Sequence, residues 1–346
     1  MKRADVFSEI AFCATVCMLL LVSSPSMSAA QRHPALSPLM RELEKSLSYA
    51  RGPRPQNGKW PRTITYDYRT YDFRENIFRD EKKTVLLAAK PTRIIPHSAG
   101  IAEILWAICP RQRLVAFNEI SADPEYSFIA DQIRNTGRVF TSLQTEQVLG
   151  YRPDLVFTVF YSDAAFKKKL KQAGIPCLDL GYFGSISSIK KQVLLLGSII
   201  GEESNAHALV RTMDSAIRQL RKELPQNKKQ QRVLYYDTGG YIPGRTSGFA
   251  SICDIIQVIN IGTEQGIRSW AQIDYETLLK WDPDVIIVPA GSHLKETLTT
   301  SRILSHARAI QRGKVYDVPR RYLAASSQYI VLSARLLAGI VYEKSF

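Results

Sequence analysis

Two stretches of the chain repeat one pattern at a constant offset of 130 residues, counted from Glu146 to Glu276. The first is Thr145-Glu146-Gln147-Val148-Leu149-Gly150-Tyr151-Arg152-Pro153-Asp154-Leu155-Val156, and the second is Tyr275-Glu276-Thr277-Leu278-Leu279-Lys280-Trp281-Asp282-Pro283-Asp284-Val285-Ile286. Leu149 aligns with Leu279, and Pro153-Asp154 with Pro283-Asp284. Each copy reads as a short helix, a turn opened by Pro and Asp, and a continuous apolar strand. A chain of 346 residues that carries this unit twice is expected to fold as two related halves. Chance likeness, with each Glu only complementing a helix dipole, is the competing explanation.

The pattern around each copy supports two halves. Arg93-Ile94-Ile95-Pro96 reads as a strand, and Ser98 can cap a helix that runs through Glu103, Ile104, Leu105 and Ile108. Strands at Leu114–Phe117, Leu155–Phe160 and Ile175–Leu180 alternate with helical stretches, which implies a parallel sheet with crossover helices. Apolar residues at Ala206, Leu209, Val210, Met213, Ile217, Leu220 and Leu224 then follow helical spacing and mark one buried face. Pro225-Gln226-Asn227 closes that region. A second α/β run begins at Val233-Leu234-Tyr235-Tyr236. The expected fold is therefore α/β, with two Rossmann-like lobes, each around a central parallel sheet, joined by one long α-helix with a cleft between them. Residues 82–184 form the first lobe, 185–229 the linking helical region and 230–346 the second lobe. Residues 31–81 are an N-terminal extension without an assigned role, with strand character at Thr63–Phe73. One rigid linking helix predicts small closure on binding rather than a wide clamshell motion.

Residues 1–30 read as a signal peptide: Lys2 and Arg3, the short apolar run Ile10–Val22, then Ser28-Ala29-Ala30 as a cleavage site near Ala30. Neither Cys13 nor Cys17 follows the small-residue pair that lipid attachment usually needs, so a soluble, exported mature chain is expected. The formal charge is +14, which suits an anionic partner. Export argues against nucleic acid. Cys109, Cys177 and Cys253 remain after cleavage and make no disulfide framework.

Residues from about 82 to 342 resemble the class of ABC-importer solute-binding proteins that carry siderophores, cobalamin and haem. The resemblance rests on Lys90-Pro91-Thr92-Arg93-Ile94-Ile95 with Ala102-Glu103-Ile104-Leu105, on Leu149-Gly150-Tyr151-Arg152-Pro153-Asp154-Leu155-Val156, and on Gln311-Arg312-Gly313-Lys314-Val315-Tyr316. It implies a periplasmic, non-enzymatic receptor, acting as a monomer, that serves an ABC permease and its ATPase at the inner membrane. It also implies that Glu146 and Glu276, one per lobe, contact arginines of that permease, where charge would set orientation and encounter rate.

Ligands of open α/β sheets bind beyond the carboxyl ends of the strands. On that rule the ligand-binding candidates are His97, Ser98, Glu119, Tyr161, Tyr182 and Tyr241; Arg138, Arg245, Trp270, Arg321 and Tyr322 are further candidates, in loops that could also reach the cleft. Guanidinium and aromatic groups suit an anionic ferric chelate, an iron–siderophore whose Fe3+ arrives with the ligand, so no cofactor is expected. His33, His97, His207, His293 and His306 are too scattered for a bare-metal site. Haem- and cobalamin-binding relatives place a Tyr or Trp near Gly137-Arg138-Val139-Phe140, and neither is there. Haem or cobalamin remains the alternative within the class. A secreted two-lobe enzyme is the alternative outside it, although the chain has no Gly-x-Ser-x-Gly, phosphate-loop or HExxH motif. A surface adhesin or sensor without transport is a third.

Overall fold

The computed structural model describes residues 37–52, 59–72, 77–141, 144–182, 184–226, 229–344 and 346. The expected signal peptide and Cys13 and Cys17 lie outside the described residues. Helix α1 (Pro38–Ser48) starts at Ser37, whose Oγ accepts from Met40 N at 3.2 Å, and it buries Met40 and Leu47. Two eleven-residue strands, β1 (Arg62–Asp72) and β2 (Ile77–Leu87), then pair antiparallel from Arg62↔Leu87 to Asp72↔Ile77.

The N-terminal lobe follows in the order β3 (Ile94–Pro96), α2 (Ala99–Ile108), β4 (Phe117–Asn118), β5 (Val139–Phe140), α3 (Thr145–Gly150), β6 (Leu155–Thr158), α4 (Ala164–Gln172) and β7 (Cys177–Asp179). Strands β3, β6 and β7 form a parallel sheet in that order, and β4 pairs parallel with β5. Helices α5 (Ile186–Ile200) and α6 (Glu203–Glu223) lead into the C-terminal lobe. That lobe contains β8 (Arg232–Tyr235), β9 (Tyr241–Pro243), α7 (Gly248–Ile256), β10 (Ile259–Asn260), β11 (Trp270–Gln272), α8 (Tyr275–Trp281), β12 (Val285–Pro289), β13 (Val315–Val318) and α9 (Ile330–Tyr342). Its parallel sheet has the order β10-β8-β12-β13, and β9 pairs antiparallel with β11. Short helical turns fill several of the connections.

The all-apolar strands are buried on both faces, as parallel strands under helices must be. On β6, Leu155 and Phe157 face inward, whereas Val156 faces an outer cluster with Val148 and Phe166. On β12, Val285 and Ile287 face inward, whereas Ile286 and Val288 face an outer cluster with Leu278 and Leu298. The inner faces of both sheets and the helices between them share one continuous core. Cys109 and Cys253 are buried, Cys177 is half-buried on β7, and all three are free thiols.

The linking region holds two helices, and the longer one, α6, is the lobe-joining helix expected. Gly201 ends α5 in the left-handed conformation, φ 68°, which glycine adopts without steric cost. Glu202 is then anchored by Arg113 Nη1 at 2.8 Å and Lys90 Nζ at 3.0 Å. A Cβ at Gly197 would collide with Ala206, so glycine lets the two helices pack close beyond the turn. It is α6, through Ala206, Leu209, Met213, Ile217 and Leu220, that packs on α2 of one lobe and on α7 and α9 of the other.

The sequence repeat is a backbone device. Arg152 and Asp282 end α3 and α8 in the left-handed region, φ 46° and 45°, and Pro stops each helix there. Asp154 then accepts from Thr92 N and Oγ1, both at 2.7 Å, and from Arg93 N at 2.9 Å. Asp284 accepts from Arg232 N at 3.0 Å. Each aspartate thus ties the start of β6 or β12 to the start of β3 or β8. Arg93 and Arg232 return the contact, donating to the carbonyls of Tyr151 and Arg152 and of Trp281 and Asp282.

Candidate functional site

The lobes face each other across a cavity of about 240 Å³. The N-terminal lobe supplies Ser98 after β3, Val159-Phe160-Tyr161 after β6, and Gly181 and Tyr182 after β7. The C-terminal lobe supplies Tyr235 at the end of β8, Ser247-Gly248-Phe249 at the start of α7, Trp270 on β11, and Leu323–Ser326 ahead of α9. Among the described residues no Asp, Glu, Lys, Arg or His lines it. The walls are aromatic rings and small residues.

Two helix starts meet here, one from each lobe. Ser98 Oγ accepts from Ile101 N at 3.3 Å and caps α2; Ser247 Oγ accepts from Ala250 N at 3.1 Å and caps α7. The positive ends of both helix dipoles therefore point into an otherwise uncharged cavity, which favours negative groups of a ligand. Phe160 stands edge-on to Tyr161 at 5.1 Å and to Tyr182 at 5.5 Å, and Tyr235 edge-on to Trp270 at 5.9 Å. Tyr235 donates to Asp237 Oδ2 at 2.6 Å, and burial, reinforced by that carboxylate, pushes its phenol well above 10 and keeps it neutral. Tyr161 is 48% exposed at the mouth.

Bonds across the lobes hold this cleft. Tyr182 OH donates to the Thr246 carbonyl at 2.7 Å. Arg320 joins Glu125 at 2.9 Å to Asp237 at 3.2 Å. Ser327 Oγ donates to Glu103 Oε2 across the lobes, while Phe128 N, within the N-terminal lobe, donates to Glu103 Oε1 at 2.8 Å.

Of the residues expected to hold ligand, Ser98, Tyr161, Tyr182 and Trp270 line the cavity. The other seven do not line it. His97 is buried behind the floor, stacked on Phe166 at 4.3 Å, with Nδ1 3.2 Å from Ser162 Oγ. Tyr322 is buried edge-on to Phe128 at 4.9 Å, and the Arg321 guanidinium lies over the same two rings, at 5.4 Å from each. Glu119 opens a helical turn after β4, Tyr241 begins β9, and Arg138 and Arg245 are exposed in connecting segments. Sequence reasoning did not find Phe160, Tyr235, Phe249 or the Leu323–Ser326 segment. Ser247-Gly248 carried a legible signal, a capping serine before an apolar helix, the same one read at Ser98. Glu146 and Glu276 sit in the first turns of α3 and α8, both exposed, and Glu146 is 3.2 Å from Lys169. The hydrogen bond from its own backbone N–H, then Lys169, holds the Glu146 carboxyl below its ordinary value. Among the described residues no three His, Cys, Asp or Glu side chains group to hold a metal ion.

Two α/β lobes closing on an aromatic cleft built at strand ends define a two-lobe ligand-binding protein. The periplasmic binding protein family matches residues 94–322, and the chain belongs to that family. It is 23% identical over 270 residues to the uncharacterized ABC transporter substrate-binding lipoprotein YvrC of Bacillus subtilis, covering 76% of this chain and 83% of that one. A possible iron-binding periplasmic solute-binding protein of Staphylococcus epidermidis superposes with a TM-score of 0.66 at 18% identity, over 73% of this chain and 100% of that chain. The periplasmic heme-binding protein RhuT of Roseiflexus superposes with a TM-score of 0.63 at 17% identity, over 72% and 98%. The protein is thus the extracytoplasmic solute-binding component of an ABC transporter. Its bound ligand is cargo rather than a substrate for chemistry or a cofactor.

Proposed function

We propose that the cargo is a ferric chelate of the iron–siderophore type, held in the interlobe cleft and passed to the permease with its iron still wrapped. The observation that carries this reading is the cavity wall: aromatic rings for flat organic ligand parts, two helix starts for negative groups and, among the described residues, no His, Cys, Asp or Glu to hold a bare metal ion. A cavity so lined suits iron that brings its own ligands. Likeness to proteins described as iron-binding and heme-binding supports iron as the element carried. Haem is the second reading, favoured by Tyr161, whose exposed phenol at the mouth is of the type that ligates haem iron. Export through cleavage near Ala30, and docking of Glu146 and Glu276 on permease arginines, belong to the same proposal. Charge on two lobes orients a two-lobe ligand carrier on a two-subunit partner.

The test is a titration followed by tryptophan fluorescence, since Trp270 lines the cavity. The panel is iron(III) tris-catecholate, iron(III) tris-hydroxamate, haemin and cyanocobalamin. A ferric chelate is expected to quench the signal at submicromolar concentration. Tighter binding of haemin or cyanocobalamin overturns the choice of ligand, and no binding by any of the four overturns the reading. The Glu146→Arg/Glu276→Arg double variant is expected to keep that binding and lose ligand uptake by cells.

A further inference from the structure

The cleft does not contain its own aromatic surface. Its row of rings runs on, out of the cavity, into the β1–β2 hairpin. Phe160 is 5.1 Å from Tyr161 and 5.5 Å from Tyr182; Tyr182 is 5.0 Å from Phe78; Phe78 is 4.9 Å from Tyr71. Tyr71 and Phe78 face each other across the two strands near the tip of the hairpin.

A two-stranded ribbon is marginal on its own, so its position must be set by what it packs on. Alternation gives it two faces. Ile64, Tyr66 and Tyr68 lie on one and are half-buried or buried. Tyr66 OH donates to the Asp179 carbonyl at 3.0 Å. Arg69, Tyr71, Phe78 and Asp80 lie on the other. The ribbon is fixed to the loop that builds the cleft: Tyr182 N donates to the Arg69 carbonyl at 2.6 Å, and a Cβ at Gly181 would collide with that same carbonyl. Phe78 also meets the opposite lobe, where the Arg268 guanidinium lies 5.9 Å from its ring. Arg268 is two residues from Trp270, is exposed, and makes no ion pair with a carboxylate among the described residues.

Size makes this arrangement consequential. A cavity of about 240 Å³ falls below the roughly 300–1,000 Å³ of pockets that enclose drug-sized ligands. A bulky chelate must therefore extend past the rim, and Phe78 stands at that rim beside Tyr182. We propose that the Tyr71–Phe78 pair of strands β1 and β2 is a third wall of the binding site. Tyr71 and Phe78 pack the part of the ligand that overhangs the cleft, and Arg268 holds its negative groups from the other lobe. The hairpin then discriminates among ligands by their outer rather than their metal-proximal part. This rests on the cleft being the site for a bulky chelate.

The experiment repeats the titration with full-length Phe78→Leu, Tyr71→Ala/Phe78→Ala and Arg268→Gln, using whichever iron(III) complex the unaltered protein binds. Phe78→Leu keeps apolar volume and removes the ring. Arg268→Gln lies outside the hairpin and leaves its packing intact. Expected are about tenfold weaker binding for the two hairpin variants and about threefold for Arg268→Gln, with less salt dependence, on the scale of ring stacking and of a partly exposed charge contact. Hydrogen exchange of the unaltered protein is expected to show ligand-dependent protection at residues 68–72 and 77–80, which reads the contact without any substitution. Equal affinity of all variants, or no protection of the hairpin while ligand is bound, overturns the third wall and leaves the cleft standing. Failure of the unaltered protein to bind any of the four compounds overturns both.

Discussion

Glu103 in the N-terminal lobe and Asp284 in the C-terminal lobe are both closed to solvent, 3% and 5% exposed, but Glu103 is packed deeper, and they are driven in opposite directions. Burial pushes the Glu103 carboxyl up to about 7, and its donors Ser327 and Phe128 N, with the more distant charge of Arg321, only moderate that rise. Burial also pushes Asp284 up, but hydrogen bonds from Arg232 N and the Arg308 guanidinium, with that guanidinium's charge, outweigh it and leave the carboxyl below its ordinary value. A buried acid keeps its charge only when a cation or several donors come with it. Asp154, the repeat partner of Asp284, makes the same backbone bonds while exposed to water.

The largest expected effect breaks the C-terminal member of this pair. Asp284→Ala removes the acceptor of Arg232 N and of Arg308 Nη1, the latter at 2.6 Å. It should lower the unfolding free energy by about 3 kcal/mol, since hydrogen bonds to buried charged groups are worth about 1.5–3 kcal/mol each. Asp154→Ala removes more bonds but leaves its donors open to water, and about 1 kcal/mol is expected. Urea unfolding of both variants measures the difference. Equal losses would mean that the turn geometry, not burial, sets the worth of the Pro-Asp unit.

The next effect has the opposite sign. Folded Glu103 holds its proton to about pH 7, whereas in the unfolded chain it releases it near the ordinary glutamate value of 4.5. Between those values the folded state binds more protons, so stability falls as pH rises. At about 1.4 kcal/mol per pH unit the loss is on the order of 3–4 kcal/mol. Glu103→Gln should remove that decline and raise stability by about 2 kcal/mol at pH 8, with little change at pH 4. A flat pH profile in the unaltered protein would show that Glu103 is charged in the fold. Asp284 acts lower on the scale: its contribution is present above pH 4 and is lost as pH falls through its depressed value.

The repeat, the apolar strands and the helical periodicity were legible because each is written in side chains adjacent along the chain. The break at Gly201 was less so, since a glycine in an apolar helix reads either as a cap or as a site of close packing, and Gly197 and Gly201 are one of each. The cavity wall was legible in its strand-end members, whereas the arginines expected there lie outside it. Rules about strand ends put Ser98, Tyr161 and Tyr182 at the cavity wall because the sheet fixes where those residues emerge. Arg321 and Tyr322 follow a strand as well, but a helical turn carries them into the lobe interface beside Phe128. Tyr235 and Phe249 read as core residues and are core residues, with one edge left open to the cleft. Pairing alone shows that the strand character near Thr63–Phe73 belongs to a ribbon reaching the cleft.

The smallest effect separates the two tyrosines of the cavity. Tyr182 reaches from the N-terminal lobe to the Thr246 carbonyl of the other lobe, whereas Tyr235 spends its hydroxyl on Asp237 two residues away. Tyr182→Phe keeps the ring, and with it the contacts to Phe160 and Phe78, and removes only the cross-lobe bond. One neutral hydrogen bond is worth about 0.5–1.5 kcal/mol, so global stability should fall by less than about 1 kcal/mol. The bond joins two bodies that otherwise share a core through α6, and its loss should appear as faster amide exchange at residues 246–249. Tyr235→Phe should leave that exchange unchanged, because Asp237 is still held by Arg320 and by the Thr238 N–H at 2.7 Å. Identical exchange in the two variants would mean that the shared core alone fixes the lobes, and that the cleft opens without regard to which hydroxyl spans it.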